Sequence, residues 1–381
     1  MHSLREHMGL VGLAILVGAL LSVSACREDD EACDCTPVED QGRSLVDQPY
    51  QPRLYDFGLP ESFPPMPQPE DNPATEAGVE LGRRLFFDPI LSRDSSVSCA
   101  SCHRPELAFT DGEALSVGIN GERTLRSSMS LVNIGFQTEF FWDGRSGSLE
   151  EQSLHPVEDP IEMDARWPDI EARLRGHATY PEAFRAAFGI ENSVEVDRDL
   201  VARAIAQFER SITSTTSKWD RVNRRDGFFT DLELNGMVLF RKEPSTEHPG
   251  CAHCHNEPLF ASVDAGTGFR NNGLFGTEDL DGFPDKGRGA VTGNPYDNGK
   301  FRAPTLRNLA LTAPYMHDGS LATIDDVIDH YATGGHFSPT IDPQITGFTL
   351  DPYDRRALKA FLLTLTDTLA LRREGVQDPA R

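Results

Sequence analysis

Two short segments of the sequence carry the residues with the strongest chemical signal, because each is a Cys-x-x-Cys-His motif. In this pattern two thiols bond to the vinyl groups of a haem, and the adjacent imidazole binds the iron from one side. A zinc site, a thioredoxin-like pair or a disulfide would use the cysteines, but would not require a histidine directly after them twice. The sequence therefore predicts two c-type haems. The residues concerned are Cys99, Cys102, His103, Cys251, Cys254 and His255.

The elements that must position these motifs are predicted to be helices. Apolar residues recur every three to four positions over residues 199–212, which is the period of one buried helix face. A weak internal repeat places a similar helical pattern, residues 81–86 and 234–240, before each motif. Long alternating patterns typical of strands are absent. The predicted fold is mainly α, with two cytochrome-c-like domains that each hold one covalently bound c-type haem.

Changes in composition divide the chain into four segments. Residues 1–25 are predicted to be a lipoprotein-type signal peptide, and residues 26–73 a polar, proline-rich tether. The first haem domain is expected over residues 74–214 and the second over residues 215–375. A last helix is expected over roughly residues 354–371, and the sequence leaves open whether it packs on the first domain.

The N-terminus predicts export. The apolar run over residues 9–23 is too short for a membrane span and is typical of a signal peptide. It leads into Val23-Ser24-Ala25-Cys26, which is similar to the lipobox of bacterial lipoproteins. We therefore expect a periplasmic protein anchored to a membrane through acylated Cys26, with ordinary cleavage after an alanine as the alternative. Cys33 and Cys35 are too close for an unstrained disulfide and receive no catalytic role.

The net charge bears on the partners that the protein can have. Its value of −24 excludes nucleic acid as an expected partner, because phosphates would be repelled. A basic electron-donor protein would be steered toward such a surface. The alternative is that the acidity only keeps the protein soluble.

Several further motifs follow one another in a recognisable order around the haem segments. They are residues 91–99, 141–145, 151–152, 161–163, 304–308 and 314–319. Together with the two haem motifs they resemble the bacterial di-haem cytochrome c peroxidase and MauG family, in its MauG-like or MbnH-like subgroup, over roughly residues 72–371. The resemblance implies that hydrogen peroxide reacts at the N-terminal haem and that the C-terminal haem transfers electrons.

Three residues match catalytic positions of that family. Glu162 and Gln152 match the distal-pocket residues that transfer a proton between the peroxide oxygens and orient the peroxide. A low-dielectric pocket would raise the pKa of Glu162 toward the working range, whereas the alternative is a solvated surface charge. Trp142 matches the tryptophan between the haems, and its alternative role is that of a core aromatic.

The second axial ligand of the C-terminal haem distinguishes subfamilies. The matching position here is Tyr331, where many di-haem peroxidases have methionine, and tyrosine is the MauG-like choice. A phenolate favours ferric and higher states, whereas a thioether raises the reduction potential. The alternatives are a packing tyrosine or ligation by the adjacent His330.

One departure from the family pattern concerns activation. Peroxidases that need prior reduction carry a histidine on the loop after the first haem motif, which caps the peroxidatic iron. This chain has no histidine between residues 104 and 129. We therefore expect an open, five-coordinate haem at His103 that is active without prior reduction.

The resemblance also implies a calcium ion. Thr312 and Pro314 stand at matching positions, and Ser127 stands where the family has an asparagine. Backbone carbonyls tolerate such a change because they supply hard oxygen ligands whatever the side chain.

Three functions remain open from the sequence. The first is a peroxidase that takes electrons from a small cytochrome or cupredoxin. The second is a MauG-like or MbnH-like enzyme that uses peroxide to oxidise a tryptophan or tyrosine of a partner protein, as Tyr331 and the histidine-free loop favour. The third is a non-catalytic di-haem electron-transfer protein, which Glu162 and Gln152 argue against.

Overall fold

A computed structural model describes residues 42–47, 49–263 and 266–380. The described part is mainly α-helical, with one short antiparallel pair of strands, and this confirms the predicted fold class. The signal segment, Cys26, Cys33 and Cys35 lie outside the described residues. The elements are α1 (Glu76–Phe87), α2 (Cys99–Cys102), α3 (Leu149–Glu158), α4 (Trp167–Arg175), α5 (Tyr180–Phe188), α6 (Arg198–Ser211), α7 (Lys218–Asn223), α8 (Asp231–Arg241), β1 (Phe269–Arg270), α9 (Arg288–Thr292), β2 (Phe301–Arg302), α10 (Ile324–Thr333), α11 (Pro352–Leu363) and α12 (Thr368–Leu371).

The internal repeat has a physical cause, which is a close helix crossing before each haem motif. In the N-terminal half, a Cβ on Gly82 of α1 would lie 1.9 Å from the carbonyl oxygen of Ala204 on α6. In the C-terminal half, a Cβ on Gly236 of α8 would lie 1.9 Å from the carbonyl oxygen of Ala357 on α11. Any larger side chain would push the two backbones apart. The same glycine crossing thus supports both haem segments.

The N-terminal half is built around α1 and α6. Thr75 caps α1, since its hydroxyl accepts a hydrogen bond of 3.0 Å from the Gly78 N–H, and Asp197 caps α6 in the same way. Phe86 and Phe208 are fully buried where the two helices meet, with ring centroids 5.1 Å apart. This contact anchors the helix that leads into the first haem motif.

The C-terminal half has its own aromatic core, which surrounds a buried ion pair. The guanidinium of Arg307 forms two hydrogen bonds of 2.8 Å to the carboxylate of Asp220, and both residues are buried. Two hydrogen bonds to the carbonyl of Pro258 complete the arrangement, so that the buried charge is fully paired. Aromatic side chains enclose this pair, namely Trp219, Phe240, Phe260 and Phe361.

Both ends of the described chain pack on the N-terminal half. Leu45, within the segment expected to be a tether, is buried in the same cluster as the helices of that half. The single helix expected over residues 354–371 is wrong, because the chain turns at Asp367 between α11 and α12. α11 packs against α8, whereas Leu371 of α12 is buried beside Phe86 of α1.

No helix in the described ranges combines the length and the apolar character needed to cross a membrane.

Candidate haem and peroxide site

The first haem segment holds its histidine in one orientation. Cys99 and Cys102 lie at the two ends of the one-turn helix α2, and the His103 N–H donates to the Cys99 carbonyl over 3.0 Å. The His103 Nδ1 is 2.8 Å from the carbonyl oxygen of Phe109 and donates to it. Burial lowers the pKa of His103, so the ring is neutral. Its Nε2 lone pair is therefore free to bind iron.

The second haem segment repeats this arrangement. The His255 N–H donates to the Cys251 carbonyl over 3.0 Å, and the ring Nδ1 donates to the Pro304 carbonyl over 3.0 Å. Burial lowers the pKa of His255 to about 4. The four motif cysteines form no disulfide, so their thiols are available to a haem. Both segments therefore fit the covalent haem that their sequence predicts.

Glu162 lies on the N-terminal haem side, in the turn that follows α3. Burial raises the pKa of Glu162 to about 7; the negative charge of Asp159 adds to this, and the positive charge of Arg145 opposes it. Burial raises the pKa values of the Cys99 and Cys102 thiols, and the negative charge of Glu162 is a smaller cause in the same direction. With a pKa of about 7, the carboxyl group of Glu162 can exchange a proton near neutral pH.

The loop after the first haem motif lies against Glu162. The Ile119 N–H donates to the Glu162 carbonyl over 2.9 Å, and the loop closes through the Gly118 N–H and the Glu122 carbonyl. A Cβ on Gly118 would lie 1.6 Å from the carbonyl oxygen of Ile161, so the position requires glycine. The loop that bears a capping histidine in other family members here packs on the backbone beside the candidate acid–base residue.

Gln152 lies on α3, and Arg145 lies in the segment before that helix. Gln152 is partly buried on α3, and within the described residues its side chain has no hydrogen-bond partner. The guanidinium of Arg145 lies 3.3 Å from the centroid of the Phe141 ring, while the His155 ring meets Phe141 edge-on. Arg145 belongs to the motif at residues 141–145, but its electrostatic effect on Glu162 has no signature in the sequence.

Trp142 lies where the two halves meet. Its indole N–H donates to the Ser127 carbonyl over 2.9 Å, and its own carbonyl accepts a bond of 2.9 Å from the Arg302 N–H on β2. The indole and the His317 ring are T-shaped, with centroids 6.5 Å apart. The residue is thus held by backbone contacts to both halves. Arg302 was not singled out from the sequence, because its neighbours are distant along the chain.

Tyr331 lies on α10 near the second haem segment. Its hydroxyl accepts a hydrogen bond of 3.3 Å from the Asn272 side-chain amide, which is also 3.2 Å from the Met316 Sδ. Burial raises the pKa of Tyr331 to about 12, and the charges of the two motif cysteines nearby act in the same direction. His330 differs, because its Nε2 lies 2.9 Å from the Asn272 carbonyl and donates to it.

The residues matched to a calcium site come from two segments, one in each half, that are hydrogen-bonded to each other. The Ser127 hydroxyl donates to the Met316 carbonyl over 2.9 Å, and the Ser127 N–H donates to the His317 carbonyl over 2.8 Å. The Thr312 hydroxyl lies 3.3 Å from the Leu309 carbonyl, and Pro314 follows a cis peptide bond. Among the described residues, no group of three or more His, Cys, Asp or Glu side chains is placed to hold a metal ion.

Comparison with known proteins agrees with this geometry. The profile of the di-haem cytochrome c peroxidase family matches residues 76–227. The methylamine utilization protein MauG of Methylorubrum extorquens is 37% identical over 315 residues, which cover 81% of this chain and 83% of that protein. The chain belongs to the di-haem cytochrome c peroxidase and MauG family.

Other family members match with similar coverage. The cytochrome c551 peroxidase of Nitrosomonas europaea is 37% identical over 66% of this chain and 71% of its own length. The crystal structure of a MauG-like protein associated with microbial copper homeostasis superimposes with a TM-score of 0.78 at 36% identity, covering 86% of this chain and all of that one. Family membership assigns two haems to the chain, and its enzymes are haem oxidoreductases.

Proposed function

We propose that this protein reduces hydrogen peroxide at a haem attached to Cys99 and Cys102 and bound by His103. Each peroxide takes up two electrons and two protons and yields two molecules of water. The electrons would arrive from a small cytochrome or cupredoxin through the second haem, which Cys251, Cys254 and His255 would hold, with Trp142 between the two centres. When bound, the haem iron supplies the two-electron redox chemistry.

The observation that carries this proposal is the environment of Glu162. A general acid–base group works best when its pKa is near the working pH, and burial raises the pKa of Glu162 to about 7. Cleavage of the peroxide bond requires that the proton on the inner oxygen moves to the outer one, which then leaves as water. Glu162 would accept and return that proton, and Gln152 would orient the peroxide through its amide. A pure electron carrier has no need of such a carboxyl group.

The histidine-free loop supports a haem that is open without prior reduction. Residues 116–123 form a closed loop held to Glu162 through Ile119, and none of them has an imidazole. We infer that peroxide reaches the His103 side in the ferric protein. The result would be an enzyme without a reductive activation step.

A second candidate function is favoured by Tyr331. Its hydroxyl is buried near Cys251 and Cys254, whereas His330 donates its Nε2 hydrogen to a backbone carbonyl. A phenolate ligand would favour the oxidised states of that haem. The protein would then use peroxide to oxidise a tryptophan or tyrosine of a partner protein, as a MauG-like or MbnH-like enzyme.

Two further parts of the proposal rest on the sequence. The residues before the described part would direct export to the periplasmic side and provide a lipid anchor at Cys26. A calcium ion would bind beside Ser127, Thr312 and Pro314 through backbone oxygens. Ser127 supports this placement because it is hydrogen-bonded to the segment that follows Pro314.

Peroxide turnover by the untreated ferric protein separates these functions. We would mix it with hydrogen peroxide and a reduced small c-type cytochrome, and compare the amounts of donor and peroxide consumed. The peroxidase function predicts two donor molecules oxidised for each peroxide. Slow donor oxidation together with a mass change in a partner protein would favour the second function. A haem-loaded protein that consumes no peroxide with either would contradict both.

A further inference from the structure

Arg302 is a buried cation without a counter-ion in the described polypeptide. It lies on β2 and is 6% exposed. Its Nη1 donates to the Glu139 carbonyl over 2.9 Å, and its Nη2 lies 3.6 Å from the Met129 Sδ. Its Nε has no hydrogen-bond partner in the described part of the chain. Burying a charged group without all of its hydrogen bonds costs free energy, so the environment of Arg302 requires an explanation.

Neighbouring arginines have the carboxylate partners that Arg302 lacks among the described residues. Arg288 forms an ion pair of 2.6 Å with the Glu139 carboxylate, so this carboxylate is already occupied. Arg126 is paired with both Asp143 and Asp285. Although burial lowers the pKa of Arg302 to about 10, the guanidinium is still charged at neutral pH. No described carboxylate pairs with Arg302, so its charge is left without a counter-ion within the described residues, which favours the binding of an anion from outside them.

The location of Arg302 indicates the source of that anion. It stands two residues before Pro304, whose carbonyl fixes the His255 ring. Its backbone N–H donates to the carbonyl of Trp142, and its side chain reaches Met129, which directly follows Ser128, whose hydroxyl lies 3.2 Å from the His103 Nδ1. Arg302 therefore lies between the two haem-binding histidines. A haem carries two propionate carboxylates, so the two haems of the family are a source of anions for this region.

We propose that Arg302 binds a propionate carboxylate of one of the two haems, beside Trp142 at the boundary between the halves. Within the described residues the Arg302 Nε has no partner and the adjacent Nη2 has only a weak contact to a thioether sulfur, so this edge of the guanidinium suits a carboxylate, which it can bind through two parallel hydrogen bonds. The positive charge would stabilise the reduced state of that haem. This inference rests on the two haems of the family, and it does not depend on peroxide reduction.

Redox titration of Arg302 variants tests the proposal without peroxide. In Arg302→Gln, both haems stay covalently attached, but one midpoint potential moves to a more negative value because a positive charge is lost. Arg302→Lys keeps the charge and restores part of the shift. Arg288→Gln serves as the comparison, because it removes an equal charge from the same interface but from an arginine that is paired with the Glu139 carboxylate. We expect its potentials to shift less than those of Arg302→Gln.

The haem whose potential moves identifies which propionate is bound. Unchanged potentials in Arg302→Gln, or a shift no larger than in Arg288→Gln, would overturn the proposal. If the variants fold poorly, a crystal structure of the unchanged haem-loaded protein decides the question. It should show a guanidinium nitrogen of Arg302 about 2.7–3.2 Å from a propionate oxygen. A guanidinium that contacts neither haem would overturn the proposal equally.

Discussion

The two haem segments are held alike but face different chemical groups. In both, a partly buried histidine donates its Nδ1 hydrogen to a backbone carbonyl, from His103 to Phe109 and from His255 to Pro304. Beside the first segment lies Glu162, and beside the second lies Tyr331. A repeated scaffold thus holds two equivalent histidines, which would bind iron on one side of each haem. The groups on the other side would decide what each haem does.

The Glu162 carboxyl and the Tyr331 phenol differ in the pH at which each loses its proton. Burial raises the pKa of Glu162 to about 7 and that of Tyr331 to about 12. The carboxyl group can therefore gain and lose a proton near neutral pH, whereas the phenol keeps its proton unless a metal displaces it. The comparison predicts proton transfer at the first haem and stable ligation at the second.

Replacing Glu162 by glutamine should have the largest effect on this contrast. Glutamine has a similar size but cannot exchange the proton, so we expect the reaction of the ferric protein with peroxide to slow by about 10²–10⁴-fold. Stopped-flow mixing measures the rate, and a pyridine haemochrome assay verifies two haems per chain. Glu158→Gln, an exposed position at the end of α3, is the matched control. An unchanged rate in Glu162→Gln would remove Glu162 from the mechanism.

The pH dependence of the same rate should show the titration of Glu162. Only the carboxylate form accepts a proton, and burial raises the pKa of Glu162 to about 7. The rate should therefore be constant above that pH and fall about tenfold for each pH unit below it. Measurements between pH 5 and 9 test this, and the fall should be absent in Glu162→Gln. A flat profile in the unchanged protein would show that another group controls the proton.

Replacing Tyr331 by phenylalanine should alter only the C-terminal haem. Loss of a phenolate ligand should change the low-spin signature of one haem and raise its reduction potential, because phenolate favours the ferric state. Optical and electron paramagnetic resonance spectra of the ferric protein provide the measurement. Tyr353→Phe, at the exposed start of α11, is the control. If the spectra of both haems were unchanged, Tyr331 would be a packing residue. The two haem segments would then not differ through a tyrosine ligand at the second haem.

A second buried carboxyl group makes the N-terminal half sensitive to pH in its stability. Burial raises the pKa of Glu209 to about 8, and the charge of Glu209 acts on the thiol of Cys99. As the pH rises from about 4.5, the unfolded chain loses a proton that the folded protein keeps, so the free energy of unfolding decreases. Glu209→Gln has no carboxyl group that must stay protonated. Its free energy of unfolding should therefore exceed that of the unchanged protein by on the order of 1–4 kcal/mol at pH 8.

Urea unfolding of the ferric variant and of the ferric unchanged protein at pH 5 and pH 8 measures that difference in the free energy of unfolding. Glu106→Gln, an exposed position after the first haem motif, should have the same small effect at both pH values. If Glu209→Gln changed stability equally at the two pH values, Glu209 would not be a neutral buried carboxyl group.

Local patterns predicted much of this architecture. The helix expected over residues 199–212 is α6 (Arg198–Ser211), since its apolar period survives in the packed structure. The repeat before each haem motif predicted two equivalent halves, and the close crossings at Gly82 and Gly236 explain why it persists. Residues that pack locally leave a periodic signal in the sequence.

Contacts between distant segments left no such signal. The turn at Asp367 depends on hydrogen bonds from Ser214 and Thr216, some 150 positions earlier, so residues 354–371 read as a single helix. That the guanidinium of Arg302 has no carboxylate partner among the described residues is recognisable only once its neighbours are known in space. Asn272 likewise meets Tyr331 only in the folded chain.

The most direct test of the contrast between the two haems is the addition of one equivalent of hydrogen peroxide to the ferric protein, without any prior reduction. The account predicts a rapid change in the optical spectrum, which is lost in Glu162→Gln and retained in Glu158→Gln. No spectral change until the protein is first reduced, or an equal change in both variants, would contradict it.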